Sequence, residues 1–149
     1  MKNIMTSLIA KLRRTGIRKK TVDSVETMTL ILRGMRGDSV YELAIIDDRT
    51  ELRLYREILH GEETLLRPEL STACDSKTIV DLMNACGVIR WDKFHGKHPM
   101  NVLDGIMFDF TATVNGGQVI RADGSANFPK GYGEFVRELN RLLAEGENN

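Results

Sequence analysis

Between Glu26 and Leu59 apolar side chains recur at every second position, which puts them on one side of an extended chain and predicts strands. Met28, Leu30 and Leu32 alternate with Thr27, Thr29, Ile31 and Arg33. A turn at Arg36-Gly37-Asp38-Ser39 leads to a second strand with Tyr41, Leu43 and Ile45 on one face. Asp47-Asp48-Arg49-Thr50 then turns into a third, with Leu52, Leu54 and Ile58. Strands joined by such short connections pair as an antiparallel meander. The clearest alternation in the chain is Ile106, Phe108, Phe110, Ala112 and Val114 against Met107, Asp109, Thr111 and Thr113. Asn115-Gly116-Gly117 tolerates the positive φ of a hairpin turn, so Gln118 to Asp123 returns as a fifth strand.

Elsewhere the period changes to that of a helix. Ile79, Leu82, Met83 and Cys86 fall at i, i+3, i+4 and i+7, with Asp75 or Ser76 as N-cap and Gly87 as stop. Tyr132, Phe135, Val136, Leu139, Leu142 and Leu143 form the stripe of a second helix, before a polar tail from Glu145 to Asn149. Ile4, Met5, Leu8, Ile9 and Leu12 predict a third, amphipathic helix ended near Gly16, with Arg18-Lys19-Lys20 as a linker. Gly61 to Cys74 reads as irregular, because Pro68 opposes regular structure. The expected architecture is a single α+β domain over residues 21–149. Three strands, a helix, two strands and a helix form an antiparallel sheet of about five strands with helices packed on one face. Residues 1–20 precede it as a basic amphipathic arm.

Charge sharpens that division. The chain carries 21 basic and 21 acidic side chains, yet residues 1–20 hold seven Lys or Arg and no acid, so residues 21–149 are left with a formal −7. A basic amphipathic arm suits an anionic surface or an acidic partner, and Lys11, Arg13 and Arg14 are its candidate contacts. Nucleic acid is disfavoured, since the body is acidic and its strands lack interleaved basic and aromatic residues. The 42% hydrophobic and 28% charged composition is that of a soluble globular protein, and no apolar run reaches the roughly 20 residues that span a bilayer. The apolar part of the arm is too short and too charged for a secretory signal, so a cytoplasmic protein is expected. Two cysteines agree with that compartment. Cys74 and Cys86 are expected at opposite ends of one helix, about 18 Å apart and beyond disulfide reach, as structural thiols.

The pieces Trp91-Asp92-x-Phe94, Leu103-Asp104-Gly105-x-x-Phe108-x-Phe110, Gly124-Ser125-x-x-Phe128-Pro129 and Tyr132-x-Glu134-Phe135 resemble a pattern of small bacterial proteins with no established activity. The resemblance covers residues 91–135. It supports the boundaries of the strands and helix there and implies no site.

Chemistry-bearing residues concentrate in Trp91 to Gly105, WDKFHGKHPMNVLDG. Asp92, His95, His98 and Asp104 could form an acid/histidine site or hold a metal. HxxH on a loop is nevertheless not the helical HExxH that brings two histidines onto one face. The competing reading has Trp91 and Phe94 anchoring a connector to the core, with Asp104-Gly105 turning into the strand. Ser125 lacks the glycine spacing of a nucleophile elbow, Gly96-Lys97 lacks that of a phosphate loop, and His60 stands alone. Asp109 and Asp123 are expected as neighbours on a hairpin, where acids on a solvated face are ordinary. Arg36-Gly37-Asp38 spells an integrin-recognition triplet but also suits a tight turn. The sequence therefore reads as a binding or regulatory domain rather than an enzyme, with no cofactor, metal or catalytic residue assigned. It would act through protein–protein contacts or self-association, with Trp91, Phe94, His95 and the basic arm as candidate partner-binding residues. The alternative is a small enzyme built around Asp92, His95, His98 and Asp104.

Overall fold

The computed structural model describes residues 18–35, 37–46, 48–57, 68–103 and 105–147. The expected arm helix with Lys11, Arg13 and Arg14 lies outside these residues, as do Ile58, His60 and Asp104. Seven strands form one sheet: β1 (Val25–Gly34), β2 (Gly37–Ile46), β3 (Arg49–Glu57), β4 (Pro68–Cys74), β5 (His95–Gly96), β6 (Met107–Val114) and β7 (Gln118–Ser125). Their order across the sheet is β4-β3-β2-β1-β6-β7-β5. Helix α1 (Ser76–Cys86) and a 3-10 turn, Val88–Trp91, stand between β4 and β5, and helix α2 (Tyr132–Glu147) follows β7.

This is a mostly-sheet fold, and it corrects the expectation of five antiparallel strands with helices packed on one face. Two strands make the difference. β4 occupies a segment expected to be irregular, with Pro68 as its first residue, opposite Tyr55 across a register shift; a proline there interrupts no ladder in the strand interior. Leu70 is the only large apolar side chain on β4, so the period-2 signal is weak. β5 is two residues long, too short to show any period, and its pairing with β7 is parallel, which makes the sheet mixed. Seven strands span about 29 Å at the usual spacing, whereas two helices side by side cover about 20 Å. The described helices are thus too few to cover the sheet, and Leu32 and Leu70 remain only partly buried.

The remaining strands follow their sequence pattern. Leu70, Leu54, Tyr41, Leu30, Phe110 and Ala122 oppose one another strand by strand, so that one row of side chains crosses from β4 to β7. Met28, Leu43 and Leu52 form a parallel row, and all three are buried. Ile106, expected on the inner face, lies just before β6 and is 49% exposed; the buried series begins at Phe108. On α1 the Asp75 side chain accepts from the Lys77 amide at 3.1 Å, and Gly87 ends the helix at φ 68°, the left-handed conformation that favours glycine. Ile79, Met83 and Cys86 of α1 and Tyr132, Phe135, Leu139 and Leu143 of α2 join the same core as the strands.

Arg18-Lys19-Lys20, expected as a linker, runs instead into a stretch bonded to the body. Arg18 pairs with Asp92 and donates to the Val119 carbonyl at 3.2 Å, while the Lys19 amide donates to Gln118 Oε1 at 3.2 Å. Asn84 grips both main-chain groups of Val22, at 2.8 and 2.9 Å. Asn115 accepts from the Asp23 amide at 2.7 Å and donates to the Thr21 carbonyl at 3.0 Å.

Candidate functional site

The Trp91 loop leads from the 3-10 turn along β7 into β5. Trp91 is 1% exposed and meets Phe110 and Phe135 edge to face, with ring centroids 5.1 and 5.4 Å away. Its indole N–H donates to the Lys130 carbonyl at 2.9 Å, which ties the loop to the segment before α2. Asp92 accepts from the Arg121 amide at 3.0 Å through one oxygen and pairs with Arg18 through the other. The Lys93 amide donates to the Arg121 carbonyl at 2.8 Å and the Asp123 amide to the Phe94 carbonyl at 3.0 Å, so the loop runs into β5 as a continuation of the sheet. Phe94 packs against Phe108 at 6.3 Å. The expected anchoring by Trp91 and Phe94 is therefore what the geometry contains.

The acid and histidine side chains do not converge on one point. His95 Nδ1 pairs with Asp123 in an exposed setting. His98 Nδ1 lies 2.8 Å from Ser125 Oγ, and its other ring nitrogen faces the Val102 carbonyl. Asp92 is engaged instead by Arg18 and the Arg121 amide. Asp109 and Asp123 do oppose each other across the β6–β7 pairing, but each has its own basic neighbour, Arg33 for Asp109 and His95 for Asp123. Among the described residues no group of three His, Cys, Asp or Glu side chains is placed to hold a metal. Gly37 and Asp38 of the Arg-Gly-Asp triplet belong to β2 rather than to a protruding loop.

Two clefts flank the loop. One, of about 490 Å³, lies between the end of α1 and the start of α2, with Arg90, Trp91, Phe94, Phe128, Lys130 and Glu134 among its walls. The other, of about 420 Å³, is lined by Arg18, Lys19, Lys20, Ile89, Arg90, Asp92 and Gln118. Arg90 stands on the ridge between them. Phe128 is 37% exposed, and its inner side is held by Tyr132, stacked at 4.5 Å, and by Phe108 at 5.4 Å. Cys86 also lines the first cleft, where burial, then Glu134 and Glu138, push its thiol up, so it stays protonated and a poor nucleophile at neutral pH. Burial raises the Cys74 thiol as well, with Asp75 adding to the effect. Both cysteines are free thiols.

Sequence reasoning did not single out Arg90, Phe128 or Lys130. The one signal for them was Phe128-Pro129 in the quoted pattern, which marked a structural position without saying that an aromatic face stays open. The loop beyond β5 is a second feature that the alternation did not reveal: Met100 is 99% and Leu103 98% exposed. Val102, Ile106 and Met107 add further exposed apolar surface, with Met35 on the β1–β2 connection. No described helix is long and apolar enough to cross a membrane. Comparison of the chain with protein-family models and with curated proteins finds no match.

Proposed function

We propose that the protein is a non-enzymatic binding domain that acts through protein–protein contacts at the end of the sheet formed by the Met100–Met107 segment and the Trp91 loop. The observation that carries this reading is the run of exposed large apolar side chains there, Met100, Leu103, Ile106 and Met107, with Met35 on the β1–β2 connection, two residues beyond the Arg33–Met107 pairing. Scattered apolar residues are normal on a surface, but several within one short segment mark an interaction site. Three of the five are methionines, whose flexible thioether chains adapt to different partner surfaces. A cytoplasmic setting, a protein partner or a second copy, and an anionic surface for residues 1–20 fit this reading. The alternative enzyme around Asp92, His95, His98 and Asp104 gains little support, because the three described members have separate partners and face no common point.

Site-specific photo-crosslinking in cells tests the proposal. With p-benzoylphenylalanine in place of Leu103, a discrete heavier adduct should form, whether with another protein or with a second copy. The same probe in place of Asp81, on the exposed side of α1, should give none. Identical adduct patterns from both positions would reject the surface as a specific binding face.

A further inference from the structure

We propose that the cleft between the Trp91 loop and the start of α2 receives an acidic segment of a partner protein, seated by one aromatic side chain. This rests on the binding reading above and names what the partner presents to the Trp91 loop. The first support is charge. Arg90 and Lys130 are both exposed, and among the described residues neither has a carboxylate within ion-pair distance. Among the described residues Glu134 is the one acidic side chain lining this cleft, and the nearby Asp92 is already taken by Arg18 and the Arg121 amide. The end of α1 and the beginning of α2 meet here, so their dipoles oppose each other and the side chains set the sign. In a body with a formal −7, the walls of this cleft carry two cations against Glu134, with Glu138 acting at the Cys86 end, so the Arg90–Lys130 side is complementary to carboxylates.

The second support is the aromatic wall. Phe94 and Phe128 keep ring surface open to the cleft, while Phe108 and Tyr132 fix them from behind. Rings already held in place lose little freedom when a partner's ring is laid on them. Shape decides between a peptide and a small molecule. The cleft is open along one side, and a small ligand gains affinity by burying most of its surface. A chain that continues past the cleft has no such need, since it gains further contacts outside it. Arg90, with its planar fork, suits the carboxylates that flank the aromatic anchor.

Trp91 is the single tryptophan of the chain and lines this cleft, so its one indole N–H resonance reports occupancy. The full chain is titrated with the tryptophan-free peptide acetyl-Glu-Glu-Phe-Glu-Glu-amide, followed by nitrogen–proton correlation spectra. A saturable displacement of the indole resonance is expected. The same peptide with lysine for glutamate, or with serine for phenylalanine, should bind at least about tenfold more weakly. Arg90→Glu combined with Lys130→Glu, and the milder Arg90→Gln, should weaken binding at an unchanged thermal midpoint. Lys77→Glu, an exposed charge change on α1 outside the cleft, should not. The proposal is overturned by any of three results: no displacement at millimolar peptide, equal binding of the lysine or serine peptide, or phenylacetate binding as tightly as the peptide. Crosslinking at Leu103 does not depend on Arg90 or Lys130, so an adduct there without peptide binding rejects this proposal alone.

Discussion

Asn115 is the one polar side chain buried among the described residues, and it sits at φ 54° where asparagine is tolerated better than most residues. Its amide joins the β6–β7 turn to the strand-entry segment at Thr21 and Asp23. Asn115→Ala would leave those main-chain groups without partners and put at φ 54° a residue that tolerates the left-handed conformation less well than asparagine. A loss of about 2–4 kcal/mol in urea unfolding is expected, and a loss below 1 kcal/mol would show that water replaces the side chain. Trp91→Ala should cost about 3–5 kcal/mol, since it empties the space between Phe110 and Phe135. His95→Ala with His98→Ala should stay within about 1 kcal/mol, because the His95 side chain is 79% exposed. Burial raises Tyr132 above its ordinary value near 10 and does the same to Tyr41, whose bond to Asn140 at 2.6 Å offsets part of the effect. The Cys74 and Cys86 thiols are raised from 9. Each of these groups holds its proton more tightly folded than unfolded. Their contribution is therefore complete below pH 9 and is lost as the pH climbs through 10 and above. Tyr132→Phe should flatten the upper part of that alkaline loss, and an unchanged pH profile would show that the phenol is not desolvated in solution.

At the scale of elements, the two sheet edges are held differently. β4 lies under α2, where Gly146 comes so close to Thr72 that an added methyl would overlap its side chain. On the other side, β5 depends on two main-chain pairings with β7 and on Gly96, where a methyl would overlap the Asn127 carbonyl and the Phe94 ring. Gly96→Ala should detach this edge while the β1–β4 meander stays intact. Hydrogen exchange separates the outcomes: the Asp123 amide, bonded to the Phe94 carbonyl, should exchange faster, while the amides of β2 and β3 should not change. Protection retained at Asp123 would mean that the loop gives way without losing its pairing.

For the whole molecule, the division between arm and body is set by residues 18–24. A chain shortened to begin at Arg18 retains every described bond to Asn84 and Asn115, and its thermal midpoint should match that of the full chain. One shortened to begin at Ser24 loses those made by Thr21, Val22 and Asp23, and should be less stable by about 2–4 kcal/mol. If residues 1–17 supply affinity for an anionic surface, the chain beginning at Arg18 should no longer cosediment with phosphatidylserine vesicles, and the full chain's cosedimentation should fall with added salt. Equal cosedimentation by both chains would assign any such affinity to the body.

The sequence by itself determined the faces of β1, β2, β3 and β6, the limits of α1 and the start of α2, while α2 runs to Glu147, into the stretch expected as a polar tail. Those features depend on residues close together in the chain: an alternation, a stripe at i and i+4, a cap, a glycine stop. It also marked Trp91 and Phe94 as anchors, because large aromatic rings in a polar loop have few other uses. Only the tertiary structure decided the pairing of β4, whose single large apolar residue leaves little pattern, and of β5, which is too short to have one. The same holds for the cleft. Arg90, Phe94, Phe128 and Lys130 come from segments up to about 40 residues apart, brought together by the Trp91 indole on the Lys130 carbonyl and by the rings of Phe108 and Tyr132. Which ring faces stay open, and which cations lack a carboxylate, depends on where distant segments pack, and no spacing along the chain encodes that.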